Sequence, residues 1–261
     1  MFTVEQREHV HDRLVAMARD DGRVTAAAVV GSRAGGGGDR WSDLDLTFAV
    51  AAGVPVADVL SDWTRAIERE FEAARLFDLP FRSSIYRVFM LPGNLQLDVS
   101  FTPAAEFGAL GPQFTLLFGD AVERTPIPPA SAEHLLGLGV HHAVRARFCI
   151  ERGRTWQAEY WIRSARDEAL AMACLRHGLP AAHARGVDQL PADVTAALRD
   201  ALVRSFDREE LLRALGCAIG GLIRESAALG ERGARMAGPL RELLAADWGQ
   251  PGEGRSGSTR P

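Results

Sequence analysis

The stretch VVGSRAGGGGDRWSDLDLTF, from Val29 to Phe48, decides the fold of this chain. It begins at the end of an apolar run, passes through a glycine-rich segment, and ends in alternating apolar and polar residues. The alternation predicts a half-buried strand over residues 44–50, with Asp43 and Asp45 projecting from one face. The glycines and the two carboxylates are therefore candidates for one site.

The carboxylates of Asp43 and Asp45 favour a bound cation between them. Residues two apart on a strand have Cα atoms roughly 6.6 Å apart, and two carboxylates about 5 Å apart repel by about 3 kcal/mol at an effective dielectric of about 20. Asp98 adds a third carboxylate in LQLDV, residues 95–99, where it again alternates with apolar neighbours. Three carboxylates on the polar face of a small sheet form a hard-oxygen site suited to Mg²⁺.

The glycine-rich turn predicts a phosphate site next to that metal site. Gly31, Ser32 and the glycines that follow leave backbone N–H groups free to approach phosphate oxygens closely. A phosphate-binding turn beside a divalent cation is what phosphoryl or nucleotidyl transfer requires. The competing interpretation is a glycine-rich hairpin with solvent-facing aspartates, but aspartate is disfavoured in strands.

The rest of the first half predicts helices and strands around this stretch. A capping box at Thr3 opens a helix over residues 3–20, and Val24–Val30 has the length of a strand. A second helix is predicted over residues 55–74. The runs Ser84–Leu91 and Leu95–Phe101, joined by Pro-Gly-Asn, predict an antiparallel hairpin.

The second half has a different character. The proline-rich segment 125–130 is the best candidate linker. Residues 131–248 are rich in arginine, alanine and leucine with helical periodicity, and the tail 249–261 is predicted to be disordered. The predicted fold class is α+β: a small mixed β-sheet domain with flanking helices over residues 1–125, followed by an α-helical bundle.

Composition excludes several mechanisms. The chain has 261 residues, a net charge of −4 and no lysine, so all 30 basic residues are arginine. Without lysine there is no Walker A loop, kinase strand lysine or Schiff base. The acidic balance argues against a general nucleic-acid binder. We predict a cytoplasmic protein with no membrane partner, because the N-terminus is polar, the cysteines are odd in number and dispersed, and no long apolar run occurs.

These motifs resemble those of the nucleotidyltransferase superfamily, the DNA polymerase β-like enzymes. The resemblance rests on VVGSRA at 29–34, SDLDL at 42–46 and LQLDV at 95–99, and it covers roughly residues 1–125. It implies transfer of a nucleoside monophosphate from ATP or another nucleoside triphosphate. More loosely, ERGRTWQAEYWIRSARDEALAMACLRHGL resembles the helical domain of nucleotidyltransferases that act on aminoglycoside or lincosamide antibiotics.

The resemblance also implies roles for individual residues. Gly31 and Ser32 would hold the triphosphate, and Arg33 is a candidate contact to the leaving phosphates. Asp43 and Asp45 would bind the metal, expected as two Mg²⁺ ions.

Asp98 would be the third metal ligand or the base that deprotonates the acceptor hydroxyl. Some antibiotic-modifying relatives instead place a glutamate base in the helical half, where Glu159 is the candidate; its plainer interpretation is an ion pair with Arg163. The expected partners are a nucleoside triphosphate and a small hydroxyl-bearing molecule, and a homodimer is expected if the site needs a second helical domain.

Two other functions on the same fold stay open at this point. An antitoxin-type nucleotidyltransferase would modify or mask a protein partner, but such proteins are typically single-domain. Addition of nucleotides to RNA ends would need an extended basic surface, which a chain of net charge −4 without lysine does not suggest.

Overall fold

The computed structural model describes residues 1–245. The chain divides into two compact units, Met1–Ile127 and Pro128–Pro261. The predicted disordered tail, 249–261, lies outside the described residues. The fold class agrees with the sequence prediction: a mixed sheet with flanking helices, followed by a helical unit.

The first unit is built on a six-stranded sheet in the order β3-β4-β5-β2-β1-β6. Its strands are β1 Val24–Val30, β2 Leu44–Val50, β3 Ala74–Phe81, β4 Ser84–Leu91, β5 Leu95–Pro103 and β6 Phe114–Phe118. Strands β2 and β5 pair in parallel, whereas the other neighbours pair antiparallel. The predicted antiparallel hairpin of β4 and β5 is confirmed. The parallel pair lies at the centre of the sheet.

Two helices, α1 Val4–Asp20 and α2 Val56–Phe71, flank the sheet. Helix α1 begins with the predicted capping box, in which the Thr3 side chain accepts from the backbone N–H of Gln6. Apolar residues of the sheet and both helices form one core. At its centre the ring of Phe48 lies 4.8 Å from Trp63 and 5.2 Å from Phe101. This packing holds β2 and β5 together beneath the carboxylates.

Two edge strands were not predicted. Helix α2 ends at Phe71, because Glu72 adopts a left-handed conformation, and the chain then enters β3 rather than remaining helical to residue 74. Strand β3 lies at the sheet edge and is almost wholly exposed, so it lacks the alternating burial that marks a strand in sequence. At the opposite edge, the short strand β6 pairs with β1.

The second unit is helical within its described residues. Its helices are α3 Ala132–Glu151, α4 Thr155–Arg176, α5 Ala192–Arg199, α6 Arg208–Ser226 and α7 Glu231–Ala245. Small residues on α3 and α4, among them Ala143, Ala146 and Ala165, are fully buried and allow close packing of the two helices. The side chain of Glu225 is buried on α6, where it accepts hydrogen bonds from Arg176 of α4. This unit therefore has a core of its own.

No helix among residues 1–245 combines the length and apolar character needed to cross a bilayer. The cysteines at 149, 174 and 217 are free thiols, and the first two are buried.

Candidate functional site

Strand pairing brings the three predicted carboxylates together. Asp45 of β2 lies directly opposite Asp98 in the parallel register with β5, and Asp43 immediately precedes β2. One carboxylate oxygen from each residue lies within 4.8 Å of the other two, and all three residues are half-buried. Asp43 is therefore just outside the strand on which it was predicted, but it still reaches the same site. Three clustered carboxylates are a donor set that fits Mg²⁺, with its preference for oxygen ligands.

The electrostatics of the cluster favour a bound cation. Burial raises the pKa of Asp98, and the negative charge of Asp43 raises it further. The amide of Gln96 opposes this effect, since its Nε2 donates a hydrogen bond to Asp98 Oδ1 at 3.0 Å. A divalent cation would relieve both the repulsion and the desolvation of the carboxylates.

The glycine-rich turn packs directly on one of these carboxylates. Residues Gly31–Gly36 form a short 3₁₀ turn that leaves β1, and Gly31 has φ +70°. A Cβ at Gly31 would overlap Asp45 Oδ2 and lie 3.0 Å from Asp45 Cγ. Only glycine allows the backbone to come this close to Asp45. The exposed Ser32 follows at once, so the predicted phosphate turn and the carboxylates are adjacent.

The segment between the turn and β2 is fixed by hydrogen bonds. The Asp39 carboxylate accepts from the backbone N–H of Trp41 at 2.8 Å, and Ser42 Oγ accepts from the backbone N–H of Asp39 at 2.9 Å. Arg7, a buried residue of α1, donates from Nη1 to the carbonyl oxygens of Asp39 and Ser42 at 2.7 and 3.0 Å. The residue that precedes Asp43 is thereby tied to α1.

Arg33 also lies at the turn, but its guanidinium has a protein partner. Its Nη2 donates to both carboxylate oxygens of Glu8 at 2.8 and 2.7 Å. Its Nη1 is buried and has no hydrogen-bond partner among the described residues. In this arrangement Arg33 anchors the turn to α1, and contact with a phosphate through Nη1 stays a prediction.

The polar face of the sheet continues beyond the carboxylates. Ser100 Oγ donates to Thr47 Oγ1 at 2.8 Å, and these residues follow Asp98 and Asp45 by two positions on their strands. Next along this face, a cavity of about 160 Å³ is lined by polar groups that include Tyr86. Hydroxyl groups and apolar side chains such as Phe107 and Phe114 line this small cavity together.

Two residues that hold the carboxylates or the segment before them, Gln96 and Arg7, were not predicted from the sequence. Gln96 could have been found, because it precedes Asp98 by two residues on β5 and so shares its face. Arg7 carries no such signal: it is one of many arginines, and its contacts are 32 and 35 residues away in sequence.

In the helical unit, Glu159 and Arg163 do not form the ion pair predicted for them. Arg163 forms its ion pair with Asp167 at 3.5 Å, four residues later, rather than with Glu159. A catalytic role for Glu159 stays a prediction.

Comparison with known proteins gives distant similarity to solved structures. No protein-family model matches the chain, and no curated protein matches its sequence. Among solved structures, the chain is similar to the crystal structure of an aminoglycoside 6-adenyltransferase from Bacillus subtilis. The identity is 10%, the TM-score is 0.39, and the match covers 90% of this chain and 97% of that chain. The site geometry, rather than this match, is the basis for the function proposed below.

Proposed function

We propose that the chain is a Mg²⁺-dependent nucleotidyltransferase that moves a nucleoside monophosphate, AMP from ATP, to a hydroxyl group of a small molecule. The observation that carries the proposal is the convergence of Asp43, Asp45 and Asp98 within 4.8 Å, with the Gly31 turn packed against Asp45. A hard-oxygen donor set next to a glycine-rich turn suits a metal–triphosphate complex.

The three carboxylates would hold Mg²⁺, expected as two ions, which would neutralise charge on the phosphate oxygens when bound. The turn at Gly31 and Ser32 would orient the triphosphate through its backbone N–H groups, with Arg33 beside it. The acceptor oxygen would attack the α-phosphorus as the bond to the β-phosphate breaks, and pyrophosphate would leave.

A base is needed for the proton of the acceptor hydroxyl. Asp98 is the candidate within the first unit, as the alternative to its role as third metal ligand, because its carboxylate lies in the cluster with Asp43 and Asp45. The proton would pass to a carboxylate oxygen of Asp98 as the new phosphate ester forms.

We assign the catalytic role to residues 1–125 and selection of the acceptor to residues 131–248. An antibiotic is one acceptor that this proposal includes, on the strength of the sequence resemblance alone. The acceptor is in any case a hydroxyl-bearing small molecule.

The first test is binding of ATP by calorimetry, with and without Mg²⁺. We expect binding that depends on Mg²⁺ in the wild type. In Asp45→Asn, where a neutral amide replaces one carboxylate, we expect affinity for the metal–nucleotide complex to fall by more than about 100-fold. Pyrophosphate release in the presence of candidate hydroxyl acceptors then measures the reaction.

Asp12→Asn is the charge-matched control, since the Asp12 side chain is 80% exposed on α1. It should bind and react as the wild type does. If Asp45→Asn retains Mg²⁺-dependent ATP binding, or if no nucleoside triphosphate binds the wild type, the proposed function is wrong.

A further inference from the structure

A groove on the helical unit lies between the end of α3 and the beginning of α4. Its volume is about 440 Å³, within the size range of small-molecule sites. Polar and aromatic side chains dominate its lining: His141, Arg145, Arg152, Arg154, Gln157 and Trp161. Within the part of the chain that the structure describes, all of its lining residues belong to the second unit, and none of them is acidic.

The three arginines of this groove are not neutralised. None of them forms an ion pair within residues 1–245, although the chain as a whole carries a net charge of −4. Glu151 precedes Arg152 in sequence, but its carboxylate already accepts hydrogen bonds from Arg147 at 2.8 Å and from Arg208 at 2.7 Å. Three exposed positive charges therefore line one groove with no carboxylate partner among the described residues, and an anion bound there would reduce their repulsion.

The beginning of α4 adds to the positive potential. Helix α4 has 22 residues, and its N-cap residue, Arg154, provides no side-chain capping hydrogen bond. The first turn also contains no acidic residue. Its free N–H groups and the positive end of the helix dipole accordingly lie beside the groove arginines.

An aromatic wall completes the groove. Trp161 is half-buried, and the Arg145 guanidinium lies 5.6 Å from its ring centroid. The ring of His141 lies 6.1 Å from Trp161 at nearly a right angle. A planar group could pack against such rings while its anionic end reaches the arginines, which bind phosphate in bidentate fashion.

We infer that this groove binds a small molecule that joins a phosphate group to a planar ring, of about the size of a nucleoside monophosphate. The site is separate from the carboxylate cluster of the first unit in its residues and in its chemistry. It needs no metal, because the arginines and the start of α4 supply the positive charge.

The test is calorimetric titration of the full chain with AMP in buffer containing EDTA. Adenosine and inorganic phosphate, each of which represents one part of AMP, are titrated for comparison. We expect AMP to bind more tightly than adenosine or phosphate, and the affinity for AMP to fall as salt is added. The double variant Arg145→Gln/Arg152→Gln should lose at least tenfold in affinity. Arg185→Gln/Arg224→Gln is the matched control, because it removes the same charge from exposed arginines outside the groove.

Asp45→Asn separates this inference from the proposed function. Metal-free binding of AMP should be unchanged in that variant, whatever happens to its Mg²⁺-dependent binding of ATP. The inference is overturned if AMP does not bind in EDTA, if both arginine double variants lose affinity equally, or if Asp45→Asn alone abolishes binding. Much tighter binding of a single-stranded oligonucleotide than of AMP would also overturn it, by assigning the groove to nucleic acid.

Discussion

At the scale of single residues, the contact between Gly31 and Asp45 links the phosphate turn to the carboxylates. Gly31 meets two separate requirements, a positive φ and the absence of a Cβ next to Asp45. Gly35 has the same φ of +70°, but a Cβ there would meet nothing within 4 Å. The two glycines therefore allow the steric requirement to be separated from the backbone requirement.

We predict that Gly31→Ala lowers the transfer rate by about 10- to 100-fold, because the new methyl group displaces the Asp45 carboxylate. Gly35→Ala should lower the free energy of unfolding as much as Gly31→Ala does, by about 1 kcal/mol, because alanine disfavours the left-handed backbone. It should leave the transfer rate near that of the wild type. Steady-state kinetics and thermal unfolding of both variants measure the two effects. Equal rates in the two variants would show that the contact with Asp45 does not matter.

At the scale of elements, α1 supports the site without contributing a ligand. Arg7 reaches from this helix to the carbonyl oxygens that precede Asp43, and Glu8 of the same helix binds Arg33 of the turn. Glu8 has a lowered pKa: burial opposes the lowering, but the hydrogen bond and charge of Arg33 outweigh it. Helix α1 thus holds both ends of the segment from the turn to β2.

We predict that Arg7→Met destabilises the first unit by about 2 kcal/mol, because the carbonyl groups of Asp39 and Ser42 lose a charged donor. The affinity for Mg²⁺ and ATP should also fall, since the segment before Asp43 loses its anchor. Arg13→Met is the control on the same helix: Arg13 pairs with Glu70 at the surface, where an ion pair contributes about 0–1 kcal/mol. Denaturant unfolding and ATP titration measure the two effects, and both losses should be larger in Arg7→Met than in Arg13→Met.

At the scale of the whole molecule, arginine supplies all the positive charge and holds many carboxylates ionised. The pKa of Asp21 is lowered to about 2, chiefly by the Arg23 side chain; burial opposes this, and Trp63 also donates to the carboxylate. A carboxylate whose pKa is lowered in the folded state stabilises the protein at pH values above its ordinary pKa, which is 3.8 for Asp21. That stabilisation is lost as the pH falls from this value towards 2.

We predict that Asp21→Asn lowers the free energy of unfolding at neutral pH by about 1–2 kcal/mol. The difference between variant and wild type should shrink as the pH falls from about 4 to about 2, because the wild-type carboxylate becomes protonated. Denaturant unfolding at several pH values measures this. A difference that does not change over that range would mean that the Asp21 charge does not contribute to stability.

The sequence alone determined the parts of this protein that depend on local pattern. The capping box of α1, the strand that ends at Val30, the hairpin of β4 and β5, and the helical second half all follow from spacing and turn chemistry over a few residues. The three carboxylates could be predicted together because aspartates alternating with apolar residues on strands leave few arrangements other than one polar face.

Only the tertiary structure decided what depends on residues far apart in sequence. The parallel register that sets Asp45 beside Asp98 joins strands some fifty residues apart, and a shift of one residue would turn either side chain to the opposite face. The edge strands β3 and β6 form because a neighbouring strand offers free backbone hydrogen bonds, not because their own residues alternate. Arg7 has its role for the same reason: its partners come within reach only after the chain has folded.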